Sequence, residues 1–183
     1  MLITTHTQDL IEVFNNGGVF AYPTEAIYGL GCDPDNAEAV KQLLRIKNRN
    51  IEKGLILIAA DFSQVQKYLK PLNETQKEFT APSDTTYVFP ALDSVPEYLK
   101  GEFSSLAIRI SKHPIVQKLC STLDSALVST SANLSGQPPA KNFNEASGQF
   151  SNKIDAILKG ETGELLKPTA IRDSITGQLI RSQ

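Results

Sequence analysis

Positive charge is concentrated in one short segment, RIKNRNIEK, at residues 45–53. The apolar stripe of the preceding helical pattern occupies positions 40, 43 and 44, and its next position is Lys47. A lysine on a buried stripe must extend its ammonium to solvent or meet an anion. A solvated helix end, where cations favour the helix dipole, is the alternative interpretation. The cations of the segment are Arg45, Lys47, Arg49 and Lys53.

Arg49 and Lys53 lie in the connection that enters an apolar run, GLILIAA at 54–60, which is typical of a strand buried on both faces. The cluster is therefore placed at the edge of a sheet rather than on a remote helix surface. An arginine can hold two oxygens of one phosphate, while a lysine supplies a mobile point charge. We therefore predict an anion site here, with phosphate as the natural ligand.

A second polar segment, LVSTSANLSG at 127–136, begins as an apolar strand and continues into hydroxyl and amide side chains. Such residues often bond their own backbone in a turn. The strand ends of an α/β sheet are also where ligands bind, and short neutral donors hold a ligand without adding charge. Next to a cationic cluster, they favour a nucleotide or amino-acid pocket. These residues are Ser129, Thr130, Ser131, Asn133 and Ser135.

Two further segments carry candidate ligand contacts. Thr24 and Glu25 directly follow the strand-like VFAYP. They either contact a hydroxyl or amine of a substrate, or they form a turn. Arg109 is the charged residue of the alternating segment SSLAIRI at 104–110. Because an unpaired buried charge is costly, Arg109 either pairs with an acid or binds a carboxylate ligand.

Several familiar site patterns are missing from the sequence. It contains neither the glycine fingerprint of a dinucleotide site nor the phosphate-binding pattern GxxxxGK followed by Ser or Thr. No acid pair, nucleophile triad or metal-ligand cluster stands out, so no general base and no protein-held metal are predicted from spacing.

The elements that position these residues alternate along the chain. Short segments of helical and strand periodicity predict an α/β fold whose sheet is at least partly parallel and covered on both faces. Helices are predicted over 7–16, 37–47, 61–69, 73–79 and 114–123, with a further short helix capped by Asn142. Strands are predicted over 19–23, 54–60, 85–91, 104–110, 125–130, 154–158, 168–173 and 177–181.

Composition limits the number of domains, the class of partner and the location that we expect. With 183 residues, 40% of them hydrophobic, the chain is expected to form one domain over 1–183. The net charge of -2 provides no general attraction to nucleic acid or anionic lipid. Cys32 and Cys120 lack metal or disulfide spacing and are expected to be free, buried thiols. Without a signal-peptide pattern or an apolar run of membrane-spanning length, we expect a cytoplasmic protein with no membrane contact.

Six ordered segments together resemble the YrdC/TsaC family of threonylcarbamoyl-AMP synthases, in its short, single-domain branch. The K-x-R and S-x-N signatures of that family fall on Lys47, Arg49, Ser131 and Asn133. The matching segments are PTEAIYGLGCDP (23–34), the K-x-R segment, KGLILIA (53–59), SLAIRISKHP (105–114), STSANLSG (129–136) and IRDSITGQLIR (171–181).

The resemblance implies a nucleotidyltransferase that joins L-threonine, bicarbonate and ATP into L-threonylcarbamoyladenylate and pyrophosphate, for the t6A modification of tRNA. It implies a twisted, mixed and partly parallel open sheet with helices on both faces, around a concave, positively charged cavity. Mg²⁺ is expected to arrive with ATP. The downstream partners implied are the tRNA threonylcarbamoyl-transfer proteins TsaB, TsaD and TsaE.

The resemblance also implies roles for the matching residues. Lys47 would add charge at the phosphates, and Arg109 would hold the threonine carboxylate. The catalytic set is Lys47, Arg49, Ser131 and Asn133. The threonine contacts are Thr24, Arg109 and Ser129. The nucleotide contacts are Arg49, Lys53, Ser105, Ser131, Asn133 and Arg181.

Two departures from the family pattern are visible. Where many members carry Trp-Pro-Gly-Pro-x-Thr, residues 81–86 read APSDTT, so only the threonine end is retained and a role of this loop in closing the site is not implied. The chain also stops at Gln183 without the extra C-terminal domain of the longer branch.

The main alternative is an RNA-binding module, for tRNA, double-stranded RNA or ribosome maturation, that uses the same basic concave surface. Weak tRNA binding is compatible with either function. The slightly acidic composition and the lack of stacking aromatics near the cluster argue against RNA binding as the main activity. An enzyme acting on sugar phosphates would explain the cations but not Arg109.

Overall fold

The computed structural model describes residues 1–182; Gln183, the last residue of the predicted domain, lies outside the described residues. The strands within this range are β1 (Leu2–Thr4), β2 (Phe20–Pro23), β3 (Tyr28–Gly31), β4 (Ile56–Ala59), β5 (Thr85–Pro90), β6 (Ser105–Ile110), β7 (Leu127–Ser131), β8 (Ala156–Leu158), β9 (Ala170–Asp173) and β10 (Leu179–Arg181). They form one sheet in the order β1-β8-β2-β3-β7-β4-β6-β5-β9-β10.

Neighbouring strands of this sheet run in both directions. The pairs β1/β8, β2/β8, β4/β6 and β5/β9 are parallel. The pairs β2/β3, β3/β7, β4/β7, β5/β6 and β9/β10 are antiparallel. The predicted mixed, partly parallel open sheet is therefore confirmed.

The α-helices of residues 1–182 cover both faces of the sheet. They are α1 (Leu10–Asn15), α2 (Ala37–Lys47), α3 (Ser63–Gln66), α4 (Glu74–Lys77), α5 (Glu97–Lys100), α6 (Pro114–Leu123) and α7 (Phe143–Phe150). Successive residues of a strand point to opposite faces. On β4, Leu57 belongs to the apolar cluster that contains Leu43 of α2, whereas Ile58 belongs to the cluster that contains Leu119 of α6. The predicted burial of β4 on both faces is confirmed.

Strand β6 divides its side chains between the core and the opposite face, as its alternation predicts. The side chains at 106, 108 and 110 are no more than 3% exposed and pack in the core. Ser105, Ala107 and Arg109 lie on the other face, where they line a cavity. The strand therefore holds Arg109 on a rigid support.

Both ends of α2 are set by local chemistry. The side chain of Asn36 accepts hydrogen bonds from the backbone N–H groups of Glu38 and Ala39, which confirms the predicted cap. Asn48 adopts a left-handed conformation with φ of 46°, which ends the helix at Lys47. The chain then changes direction, so that Lys47 and Arg49 take different orientations.

Four elements differ from the sequence-based prediction, one of them α5, a single turn in a segment for which no helix is predicted. β1 and β3 were not predicted, because β1 is exposed over Leu2 and Ile3 and β3 is a short YGLG segment with low strand propensity. The helix predicted over 61–69 is limited to α3. Leu69 instead pairs with Ala91 in an antiparallel bridge, which a helical backbone could not make.

Other local features agree with expectation. Cys32 and Cys120 are free and buried, and burial raises the pKa of the Cys120 thiol to about 12. The side chain of Asn142 accepts from the N–H of Glu145 and caps α7. Among residues 1–182, the helices all fall short of the length and apolar character needed to cross a lipid bilayer.

Gly101 provides a test of the loop that packs beside Lys53. Its φ is 65°, and a Cβ at this position would lie 2.3 Å from the carbonyl oxygen of Glu52. Gly101→Ala should therefore lower the free energy of unfolding by about 2 kcal/mol, through strain and steric overlap. Urea denaturation measures the change.

The matched control is Gly148→Ala in α7, where an added Cβ meets no atom within 4 Å. Alanine is the better helix former, so this variant should be more stable than the unmodified protein by ~0.5–1 kcal/mol. Wild-type stability of Gly101→Ala would contradict the packing described for this loop.

Candidate active site

The cavity beside β6 has a volume of about 550 Å³, within the range of small-molecule sites. Its wall combines the β2–β3 connection, the segment that leads into β4, the cavity face of β6, the end of β7 and the β9–β10 hairpin. Most of the residues proposed from the sequence converge here. Those lining the cavity are Thr24, Arg49, Lys53, Ser105, Arg109, Ser129, Ser131 and Arg181.

Arg109 is buried at this cavity and pairs with an acid, which was one of the two alternatives open from the sequence. Its Nη1 lies 3.5 Å from Oε2 of Glu25 and donates a hydrogen bond of 3.3 Å to the hydroxyl of Thr169. Its Nε is buried and has no protein acceptor. The guanidinium thus has part of its donor capacity left for a ligand.

The retained threonine of the APSDTT segment supports this arrangement. Thr86 is fully buried, and its hydroxyl lies 2.9 Å from the hydroxyl of Thr169. Thr169 in turn accepts from Arg109. The segment therefore reaches the site through a chain of hydrogen bonds, although it is not itself part of the cavity wall.

The opposite part of the cavity carries three cations, Arg49, Lys53 and Arg181. Nη2 of Arg49 donates to the carbonyl oxygen of Gly54 at 2.8 Å, while its Nε is buried without an acceptor. Burial and the nearby Arg181 lower the pKa of the Arg49 guanidinium. Within residues 1–182, neither Arg49, Lys53 nor Arg181 forms a salt bridge. Neighbouring cations without counter-charges favour the anion site over the solvated helix end.

Lys47 and Asn133 lie behind the cavity wall rather than in it. The ammonium of Lys47 donates to the carbonyl oxygens of Ser131 and Asn133, both at 2.6 Å, and to Oδ1 of Asn133 at 2.7 Å. Lys47 is only 8% exposed. It therefore neither extends to solvent nor meets an anion, because three neutral oxygens of the 131–133 turn use all three of its N–H groups.

The hydroxyl-rich segment serves as both strand end and turn. Ser129, Thr130 and Ser131 are the last residues of β7, one residue further than the predicted strand. The hydroxyl of Ser131 donates to Oδ1 of Asn133 at 2.7 Å, as the turn interpretation predicts. All three serine and threonine residues also line the cavity, as the ligand interpretation predicts.

Thr24 likewise combines a turn role with a place in the cavity. Its hydroxyl donates to the carbonyl oxygen of Ile27 at 2.8 Å. A hydroxyl whose hydrogen is used in this way presents its lone pairs to other donors. Thr24 is therefore suited to accept from a ligand N–H or O–H group.

The sequence-based proposal left out Glu25 and Thr169 as site residues. The sequence predicts Glu25 either as a contact for a substrate hydroxyl or amine or as part of a turn, and Thr169 only as part of a strand. Glu25 is 84 positions from Arg109 and Thr169 is 60 positions from it, so no local spacing relates them. The one available signal was the need of a buried arginine for a partner. Within the described range, no group of three or more His, Cys, Asp and Glu residues is arranged to hold a metal.

A one-sheet α/β domain with a buried arginine at one end of a cavity and cations that form no salt bridge at the other has the features of an anion site. The sequence profile of the Sua5–YciO–YrdC family, described as "Telomere recombination", matches residues 12–182, and the chain belongs to this family. The resemblance inferred from the motifs is thereby confirmed.

Curated relatives and solved structures agree with this membership. Proteins named threonylcarbamoyl-AMP synthase from Enterobacter sp. (strain 638) and Vibrio campbellii are 49% and 44% identical to this chain. The alignments cover 93% of this chain and 92% of the first protein, and 95% of this chain and 97% of the second.

Among solved structures, P. abyssi Sua5 complexed with L-threonine has a TM-score of 0.87 and 26% identity. The match covers 94% of this chain and 54% of that one, so this chain spans about half of that relative. E. coli YciO, with a TM-score of 0.79 and 24% identity over 99% of this chain and 93% of its own, shows the same fold.

The buried ammonium of Lys47 predicts a pH dependence of stability. Burial and the charge of Arg49 lower the pKa of Lys47 from 10.5 to about 8. The three oxygen acceptors favour the charged form, but they do not offset these two effects. Between these two values the unfolded chain binds more protons than the folded one, so the contribution of Lys47 to stability rises with pH. The difference in free energy of unfolding between the unmodified protein and Lys47→Met should rise with pH across this window.

Denaturant titrations at several pH values between neutral and strongly alkaline measure this difference. Lys47→Met keeps an unbranched side chain, one atom shorter, and removes its charge and donors. Stability curves that stay parallel across the window would show that the Lys47 pKa is not lowered on folding.

Proposed function

We propose that this protein is a threonylcarbamoyl-AMP synthase, a nucleotidyltransferase that makes L-threonylcarbamoyladenylate and pyrophosphate from L-threonine, bicarbonate and ATP. One observation carries the proposal: two arginines contact the same residue. Arg109 donates to the hydroxyl of Thr169 at 3.3 Å, and Arg181 donates to its carbonyl oxygen at 3.2 Å. The proposed carboxylate site and the proposed phosphate site would thus be only one residue apart. The names of the curated relatives support the same activity.

The amino-acid end of the cavity matches the functional groups of threonine. Arg109 is proposed to hold the carboxylate through its free donors. Thr24 and Ser129, which line the same cavity, are proposed to contact the amine and the side-chain hydroxyl. The threonine bound to P. abyssi Sua5, a structural relative, is consistent with a site for this amino acid.

The cationic end matches the triphosphate of ATP. Arg49, Lys53 and Arg181 are proposed to hold the phosphates, with Ser105 and Ser131 as neutral contacts to the nucleotide. Lys47 and Asn133 are proposed to act through the 131–133 turn, which they hold in position by hydrogen bonds.

The proposed chemistry requires alignment and positive charge. The threonine ammonium loses a proton, and the amine condenses with bicarbonate, forming the N–C bond of a carbamate as a C–O bond breaks and water leaves. A carbamate oxygen then attacks the α-phosphorus of ATP as pyrophosphate departs. Both partners of the second step are anionic, so fixed cations stabilise their close approach and the charge that develops on the leaving group. Arg49, Lys53 and Arg181 would supply that charge without needing to act as acids or bases.

Mg²⁺ is proposed to enter as part of the ATP substrate, because triphosphate oxygens are ligands that it prefers. The product is a mixed anhydride, which reacts readily with water, so rapid use nearby is expected. We therefore propose that the protein works in the cytoplasm and supplies tRNA threonylcarbamoyl-transfer proteins such as TsaB, TsaD and TsaE.

RNA binding by the same surface is a weaker candidate. The unpaired cations Arg49, Lys53 and Arg181 line a cavity, whereas contacts to an RNA backbone need them on an open face. The ammonium of Lys47 is enclosed by three acceptors and is not free for a phosphate of RNA. Any direct binding of tRNA is proposed to be weak and sensitive to salt.

Pyrophosphate release tests the proposed reaction directly. The protein should release pyrophosphate from ATP and Mg²⁺ only when L-threonine and bicarbonate are both present, because the carbamate is the nucleophile. A coupled pyrophosphate assay with each component omitted in turn measures this dependence. Release that does not require threonine would reject the proposed function.

Two arginine substitutions should separate the two ends of the cavity. Arg109→Lys keeps the charge but loses the paired N–H donors of the guanidinium. It should raise the KM for threonine about tenfold or more while leaving the KM for ATP within about twofold. Arg49→Lys should show the opposite pattern. Steady-state kinetics with each substrate varied measures the split, and equal effects on both substrates would contradict these assignments.

A further inference from the structure

Glu25 is a buried acid without a role in the proposed reaction. Its Oε2 lies 3.5 Å from Nη1 of Arg109, close enough for charge pairing but without a hydrogen bond. Its Oε1 accepts from the hydroxyl of Ser111. The Ser111 oxygen in turn accepts from the backbone N–H of His113 at 3.0 Å, which directs the hydroxyl hydrogen toward Glu25. The carboxylate is therefore held in place before any ligand binds.

The guanidinium of Arg109 uses its donors unevenly. Nη1 faces Glu25 and donates to the hydroxyl of Thr169. Nε is buried with no acceptor, and the described residues provide no hydrogen bond to Nη2. The Nε–Nη2 edge of a guanidinium has the fork geometry that holds both oxygens of one carboxylate. Arg109 lines the cavity, and this edge carries the donors that no protein acceptor uses.

We propose that Glu25 is a positioning and specificity residue for the amino-acid substrate. Together with Ser111, it holds the Nη1 end of Arg109 and leaves the Nε–Nη2 edge for the substrate carboxylate. Its charge also makes the site select a zwitterionic amino acid over an anion of the same shape. This inference rests on the proposed function, because it takes the carboxylate to be that of threonine.

The selection follows from the charges of the pair. Arg109 and Glu25 lie side by side and sum to zero, with side chains only 9% and 6% exposed, so solvent screens them weakly. The carboxylate of an amino acid is repelled by Glu25, but its ammonium is attracted at a similar distance and offsets that repulsion. A 2-hydroxy acid has no ammonium, so the repulsion remains.

The same argument applies to the other anions of the proposed reaction. Bicarbonate and the phosphates of ATP would be drawn to a lone buried arginine, where they would block the amino-acid site. The negative charge of Glu25 disfavours them at Arg109, whereas no acid within the described residues forms a salt bridge with Arg49, Lys53 or Arg181. Specificity here comes from a built-in repulsion as well as an attraction.

Two ligands and two variants distinguish the effect of the Glu25 charge from the effect of its placement by Ser111. The ligands are L-threonine and dihydroxybutanoate, in which a hydroxyl replaces the amine. Glu25→Gln removes the charge and keeps the shape, while Ser111→Ala keeps the charge and removes the hydroxyl that tethers it. Isothermal titration calorimetry gives the dissociation constant of each ligand for each protein. Glu164→Gln, an exposed acid in the neighbouring segment, is the matched control and should bind both ligands like the unmodified protein.

Glu25→Gln should lower the preference for threonine over dihydroxybutanoate by about tenfold or more, because the penalty on the anion disappears. Ser111→Ala should weaken both ligands by a similar factor and leave the preference unchanged. Glu25→Asp, which retains the charge, should retain the preference and serves if Glu25→Gln does not fold, as judged by circular dichroism.

An unchanged preference in Glu25→Gln, or a lost preference in Glu25→Asp, would overturn the charge argument. Wild-type affinity of Ser111→Ala for both ligands would overturn the positioning argument. Pyrophosphate release by the unmodified protein is measured in parallel. If the protein binds threonine selectively but releases no pyrophosphate, only the proposed function is rejected. If it releases pyrophosphate and Glu25→Gln keeps the preference for threonine over dihydroxybutanoate, only this inference is rejected.

Discussion

Burial of the Arg109 guanidinium is the constraint around which the cavity is organised. A charge inside a sheet must be compensated, and its partners come from two distant segments. Glu25 reaches it from the β2–β3 connection, and Thr169 from the approach to β9. One side chain thus ties three parts of the chain together. The cavity lies where the compensation is incomplete, because the buried Nε of Arg109 has no protein acceptor.

A second buried cation, Lys47, has a structural task instead. Its three donors are used by oxygens of the 131–133 turn, so it shapes the wall of the cavity without reaching the interior. The left-handed Asn48 separates it from Arg49, which does line the cavity. The two residues of the K-x-R motif therefore have different roles: the lysine holds the turn, and the arginine lines the cavity.

The two ends of the cavity differ in charge in a way that matches the proposed substrates. The Arg109–Glu25 pair is neutral overall and suits a zwitterion, whereas Arg49 and Arg181 form no salt bridge among the described residues and suit the proposed polyphosphate. One cation–anion contact at ~4 Å is worth roughly 4 kcal/mol at an effective dielectric constant of ~20, before the cost of desolvation. In the proposed function, the unpaired cations would supply most of the attraction for a nucleotide, and the neutral pair would supply discrimination.

Local periodicity and capping were sufficient for much of the fold and part of the site. The cap at Asn36, the alternation of β6 and the cationic segment at 45–53 depend on neighbours within a few residues, so the sequence by itself determined them. β3 was missed because its glycine-rich segment has low strand propensity and is held between β2 and β7 by tertiary pairing.

Only the tertiary structure decided which charges are neutralised. The sequence established that Lys47 and Arg109 were cations in apolar surroundings, but their partners lie more than 80 positions away for Asn133 and Glu25. Hydrogen bonds and ion pairs act over a few ångströms of space and are independent of separation along the chain. The division into a structural lysine, a paired arginine and cations that form no salt bridge therefore exists only after the strands have been brought together.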